Sequence, residues 1–215
     1  MEYVVFFMIL FLSAIFLKSK KQIDQINKLN NLLFIKKDPG SYVKALDRIL
    51  ERKQSPKNII INVLQKTTGL FYMGKFDEVI NILTNDLKNV PKNWEPIYNQ
   101  NLILSLYFKG ENQKAHENMK KAKSMFEEFK NNNYYTEMIE IVYAVSDYFN
   151  GKKNKNYFSE LCKNGANDYR KAMGHYFLGL IFKSENNKGE SVAQFNLAAE
   201  LGNGSFLEEL SRKNS

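Results

Sequence analysis

Apolar residues recur along most of the chain at three- and four-residue spacing, the period of an amphipathic α-helix, and the periodic runs come in pairs. In the clearest pair Leu102, Ile103 and Leu106 mark one helix, Lys109-Gly110 closes it, and Ala115, Met119 and Ala122 mark the next. Glycine can adopt the left-handed conformation that ends a helix, so Gly110 predicts the turn of a helical hairpin whose small residues let the two backbones approach. The same order returns elsewhere. Leu32-Leu33 and Gly40 precede Tyr42, Ala45 and Ile49; Leu70 and Gly74 precede Phe76, Val79 and Leu83, with Pro91 closing the unit. Near the end, Leu178-Gly179 and Phe182 lead to a turn at Asn186 and then to Ser191, Phe195 and Ala198. With Gly151 included, the turns at 40, 74, 110, 151 and 186 lie 34, 36, 41 and 35 residues apart.

The boundaries carry their own signals. A first helix over 23–35, with Ile23, Ile26, Leu29 and Leu33 on one stripe, runs into the stop Lys36-Lys37-Asp38-Pro39-Gly40. Ser55-Pro56 supplies a cap and a first-turn proline, Glu95-Pro96 a similar start, and Asn131-Asn132-Asn133 a break. Gly204-Ser205 followed by Glu208 predicts a capping box for a short last helix carrying Phe206, Leu207 and Leu210. In the fourth unit Lys153 and Asn156 stand where an aromatic and a small residue belong, so Phe158, Leu161 and Cys162 are expected to supply its stripe.

A period in the mid-thirties with a hairpin in each unit resembles the tetratricopeptide repeat family. The resemblance rests on Gly74-x-Phe76-x-x-Val79-x-x-x-Leu83 with Pro91, on Gly110 with Ala115, Met119 and Ala122, on Gly40-x-Tyr42-x-x-Ala45, and on Leu178-Gly179-x-x-Phe182. It covers about residues 28 to 205, and the last unit, ending Ala198-Ala199-Glu200-Leu201-Gly202-Asn203, is also similar to Sel1-like repeats. The resemblance implies an all-α solenoid of about five helix pairs plus a short capping helix. It also implies a concave groove, lined by the first helices of the pairs, that holds a partner segment. Those first helices are apolar nearly all round, and Leu64, Phe71, Leu104, Tyr107, Met138, Ile141, Tyr148 and Tyr176 are the expected groove residues. The Lys and Asn grouping with which some members clamp a C-terminal carboxylate is not recognisable, so an apolar peptide or helix segment of another protein is the expected guest.

Tyr3 to Leu17 is free of charge and is followed by Lys18, Lys20 and Lys21. At about 1.5 Å per residue the run covers roughly 22 Å of a hydrocarbon core near 30 Å, so it predicts a short transmembrane helix assisted by a snorkelling Lys18. Glu2 and the absence of a small-x-small cleavage site argue against a removed signal peptide. The lysines behind the run predict a single-pass protein of the cell membrane with its body in the cytoplasm. Residues 1–20 thus form an anchor, 21–205 the repeat domain, and 206–215 a capping helix and polar tail.

Charge sharpens this picture. The net charge is +8, and Lys18 to Lys66 alone hold twelve Lys/Arg against four Asp/Glu, so the remainder is neutral in sum. Lys18, Lys20, Lys21, Lys36, Lys37, Arg48, Arg52 and Lys53 form a basic collar beside the anchor, expected to lie on an anionic lipid surface. Positive charge confined to one end excludes a uniform nucleic-acid-binding surface, and no nucleic-acid partner is expected.

Little points to catalysis. Gly69 to Lys75 matches the spacing of a phosphate loop, but its intervening residues are bulky and helical and Phe76 replaces the hydroxyl that would bind magnesium. Acid pairs such as Glu127-Glu128, Glu137/Glu140 and Glu208-Glu209 fall on polar helix faces among lysines. One cysteine, Cys162, and two histidines, His116 and His175, give no metal or triad spacing. The expectation is a membrane-tethered, non-enzymatic scaffold or adaptor without a cofactor. The alternative is an accessory subunit of an envelope enzyme or export machine that presents substrate to a catalytic partner.

Overall fold

Four turns, each inside a helix pair, close in the same way, and this repeated closure builds the fold. In the computed structural model, which describes Lys20 and residues 23–215, the turn residues Gly74, Gly110, Gly151 and Asn186 have φ of 72°, 85°, 85° and 60°. The amide after each donates to a carbonyl five residues back: Lys75 to Leu70, Glu111 to Leu106, Lys152 to Asp147 and Asn187 to Phe182, at 2.9–3.0 Å. This left-handed closure satisfies carbonyls that the helix end would otherwise leave open.

The described residues are all helical, without a strand. The helices are α1 (23–30, continuing as a π turn over Asn31–Ile35), α2 (Pro39–Leu50), α3 (Pro56–Tyr72), α4 (Phe76–Asn81, continuing as a π turn over Ile82–Asp86), α5 (Glu95–Lys109) and α6 (Asn112–Phe129). They continue with α7 (Thr136–Phe149), α8 (Lys155–Asn164), α9 (Asp168–Ser184), α10 (Lys188–Leu201) and α11 (Phe206–Arg212). Five hairpins and a short last helix therefore follow one another in sequence. The run from Tyr3 to Leu17, with Lys18 and Lys21, lies outside the described residues; among those described, no helix is long and apolar enough to cross a membrane.

Short polar side chains start most of these helices by accepting from an otherwise open amide. Asp38 accepts from the Ser41 amide at 2.8 Å, Ser55 from Asn58, Asn154 from Tyr157, Asn167 from Arg170 and Asn187 from Glu190. At α11 the box is reciprocal: Ser205 Oγ accepts from the Leu207 amide at 3.3 Å while Glu208 accepts from the Gly204 amide at 3.0 Å.

One predicted turn moves. Gly40 is not the first hinge, because Asp38 caps α2 and Pro39 already occupies its first turn. The positive φ, 53°, falls on Lys37 instead.

The stripes of the second helices are buried as expected: Val79 and Leu83, Ala115, Met119 and Ala122, Phe158 and Leu161, and Ser191, Phe195 and Ala198. In α2 the fully buried set is Tyr42, Val43 and Leu46, with Ala45 and Ile49 only partly covered. First helices of adjacent hairpins pack on each other, α3 on α5 and α5 on α7. Second helices also pack on the unit that follows, α2 on α3, α4 on α5 and, most closely, α8 on α9. Gly174 makes that approach possible: a Cβ there would stand 3.0 Å from the Phe158 carbonyl oxygen and from Cys162.

The ends of the array also meet. Tyr169 of α9 stacks on Tyr72 of α3 with ring centroids 4.5 Å apart, and Phe34 of the first hairpin meets both edge-on. Lys37 pairs with Asp168 at 2.7 Å. Phe206 of α11 enters a nest of Phe71, Phe76 and Phe108, so the last helix joins the core of the second and third hairpins.

Candidate functional site

The expected groove residues do not line an open groove. Leu64, Phe71, Leu104, Tyr107, Met138, Ile141 and Tyr176 are buried, and Tyr148 is partly buried against the same core. Two kinds of contact explain the difference. Stacking between first helices takes Tyr107, whose ring lies 4.7 Å from Phe149 and whose hydroxyl is 2.8 Å from Ser146 Oγ. The chain's own C-terminal helices take others: Phe177 of α9 meets Tyr148 at 5.1 Å, and Phe206 of α11 meets Phe71 at 5.2 Å.

Buried polar pins fix how neighbouring hairpins sit. Asn101 of α5 donates to Thr67 Oγ1 and Thr68 Oγ1 of α3, each at 3.0 Å, while Thr67 donates to the Leu64 carbonyl. Asn101 stands 34 residues after Thr67, one repeat along the chain. These residues interrupt otherwise apolar stripes, and that interruption was the only signal of them in the sequence.

The collar residues behave differently from the groove residues. Lys20, Lys36, Arg48, Arg52 and Lys53 are exposed; Lys37 is half-buried in its ion pair with Asp168; Lys18 and Lys21 lie outside the described residues. Among the described residues Lys28, Lys36, Arg48, Arg52, Lys53 and Lys57 join no ion pair. Later hairpins hold both kinds: Lys92–Glu128, Lys109–Glu111, Lys114–Glu111, Lys130–Glu127 and Lys155–Glu185 are paired, whereas Lys88, Lys120, Lys121, Lys123 and Lys188 join no ion pair among the described residues. Arg170 pairs with Glu137, which also accepts from the Ala166 amide.

Two adjoining depressions lie on this collar. The narrower, about 440 Å³, has Ile26, Ile49, Ile61 and Trp94 in its lining together with Arg52, Lys53 and the amides of Gln54 and Asn62. Those amides are tied down: Asn62 donates to Gln54, which donates to the Ile49 carbonyl. The wider one shares Gln25, Ile49 and Arg52 and adds Lys28, Leu32, Ala45 and Arg48. Ile23 and Ile26, expected on the buried stripe of α1, are 55% and 48% exposed, and only Leu29 and Leu33 of that stripe are buried.

A third feature is α10, which is apolar on two sides. Ser191, Phe195 and Ala198 face the core, while Val192 and Leu197 are 41% and 40% exposed.

Gly69 sits inside α3, where a Cβ would come within 2.6 Å of Tyr42, and Lys75 precedes α4, so the phosphate-loop spacing spans a helix end. His175 Nδ1 lies 2.7 Å from Gln194 Oε1, and burial pushes the Cys162 thiol up to about 12, far from a reactive thiolate. Among the described residues no group of three His, Cys, Asp or Glu is placed to hold a metal ion.

Comparison with protein-family models, with characterised proteins and with solved structures finds no match to this chain.

Proposed function

We propose that the chain is a tetratricopeptide-like solenoid of helical hairpins, tethered by its N-terminal run to the cytoplasmic side of a membrane and serving as a non-enzymatic scaffold for another protein. The observation that carries this reading is the fourfold return of one helix closure, at Gly74, Gly110, Gly151 and Asn186, each followed by a second helix. Repeated hairpins of this kind build extended surfaces for binding other proteins. The groove residues named from the sequence are taken up by the chain's own core, so the partner surface moves outward to α10. Val192 and Leu197, exposed on opposite flanks of its outer face, are the apolar side chains it offers to an apolar helix or segment.

The test places a photo-crosslinking side chain at Val192 or Leu197 in the full chain in its native membrane, with Lys120 on the polar face of α6 as the comparison. A discrete adduct with one protein from α10 and none from Lys120 is expected. Absence of any discrete protein adduct from α10, or equal labelling at Lys120, would overturn the scaffold reading.

A further inference from the structure

We infer that the face made by α1, α2 and the connection from α2 to α3 docks on an anionic lipid leaflet, with Ile23 and Ile26 entering the headgroup layer and Lys28, Arg48, Arg52 and Lys53 taking lipid phosphates. The inference rests on the membrane tether proposed above only in that the tether puts a bilayer within reach.

Three observations on this face converge. The first is charge: four basic side chains line the two depressions against one acid, Asp24. Nearby Asp47 is already held by Lys66 at 2.7 Å. The second is the lack of an ion-pair partner for any of those four cations among the described residues, while Lys37 and Lys66 close by each hold an aspartate. A cation left unpaired on a surface attracts phosphate without first giving up a carboxylate. The third is the pair of exposed isoleucines three residues apart on α1, of which Ile26 lines the narrower depression. Apolar side chains flanked by Lys and Arg on one helix face are what interfacial helices use, burying about 5–10 Å into the boundary between headgroups and acyl chains. A soluble acidic protein would satisfy the charges but gives no reason to leave Ile23 and Ile26 uncovered. A leaflet satisfies both.

The face also adjoins the part of the chain where the membrane run is predicted. Lys20 and Ile23 directly follow that run, so a protein anchored there has this face nearest the lipid.

The test uses the full chain reconstituted into vesicles, in a Cys162→Ala background, with an environment-sensitive fluorophore on Ile26→Cys or, for comparison, on Asn196→Cys of α10. In vesicles containing phosphatidylserine, quenching by a headgroup-borne quencher should be severalfold stronger at position 26 than in pure phosphatidylcholine. It should fall back at high salt, as expected for attraction screened over about 8 Å at physiological ionic strength. Replacing Arg48, Arg52 and Lys53 by Gln, all exposed and so spared by the fold, should abolish the lipid dependence while circular dichroism stays unchanged. Free glycerophosphate should not compete. Equal quenching at position 26 in both vesicles, quenching insensitive to salt and to the three substitutions, or competition by glycerophosphate would each overturn leaflet docking. Crosslinking from α10 is read separately, so the scaffold can survive the failure of this docking and the reverse.

Discussion

Gly74, at the turn of the second hairpin, lies directly against Phe206, at the start of the last helix: a Cβ on the glycine would come within 3.0 Å of the Phe206 Cβ. The glycine is required twice, by its φ of 72° and by this approach. The Phe206 ring then reaches Phe71, Phe76 and Phe108 at centroid distances of 5.2, 5.0 and 4.8 Å. A stack of repeats in which each unit touches only its neighbours can open from either end. Here the last helix shares a core with the second and third hairpins, which couples the ends and fills the space where a groove would be.

Phe206→Ala should therefore cost far more than trimming a terminal helix would suggest. Removing a buried phenylalanine ring typically costs about 3–5 kcal/mol. Urea unfolding followed by circular dichroism should show a lower midpoint with little change in slope. An unchanged midpoint would mean that Phe206 does not hold the nest together.

Ala115 is fully buried on the stripe of α6 that faces α5. Ala115→Leu should overpack that contact and destabilise by about 1–3 kcal/mol, while Lys120→Leu on the exposed side of the same helix should stay within about 0.5 kcal/mol. Equal melting temperatures for the two variants would remove Ala115 from the interface.

Asn101→Ala should strip Thr67 and Thr68 of their shared donor inside the array. A lost buried hydrogen-bond partner costs about 1–3 kcal/mol. Asn85→Ala, which removes only an exposed contact to Asn81, should be silent by the same unfolding assay.

The charged cluster at the third hinge predicts a pH dependence. Hydrogen bonds from Lys109 and then Lys114 hold the Glu111 carboxyl down to about 2, against an ordinary value of 4.5. A carboxyl lowered on folding favours the folded state above its unfolded value and loses that contribution as pH falls through the folded one. Glu111→Gln should thus lower the melting temperature near neutral pH, and the gap to the unaltered chain should close between pH 4.5 and about 2. A gap constant across that range would show that Glu111 stabilises nothing through its charge.

Hinges and stripes were legible because each is a local demand. Gly74, Gly110, Gly151 and Asn186 are residues that tolerate positive φ, and Ala115, Met119 and Ala122 recur at helical spacing. Gly40 misled because glycine also fits a first helical turn; Asp38-Pro39 ahead of it was the better signal, a cap followed by a proline. The groove failed for another reason. Surplus apolar residues such as Tyr148 and Phe71 say that something covers a surface, and periodicity does not say whether the cover is a partner or the chain's own Phe177 and Phe206. On α1 the error ran the other way. Ile23 and Ile26 keep the spacing of the buried stripe, yet the structure leaves both in the open, Ile26 in one depression with Arg52.

Native-state hydrogen exchange on the amides of Leu70 and Phe71 in α3 and of Phe177 and Leu178 in α9 measures whether the array opens as one body. Closure through Tyr72, Tyr169 and Phe206 predicts one common opening free energy for both sets, lowered by the same amount in Phe206→Ala. A graded series, with α9 exchanging well before α3 and Phe206→Ala affecting α9 alone, would contradict it.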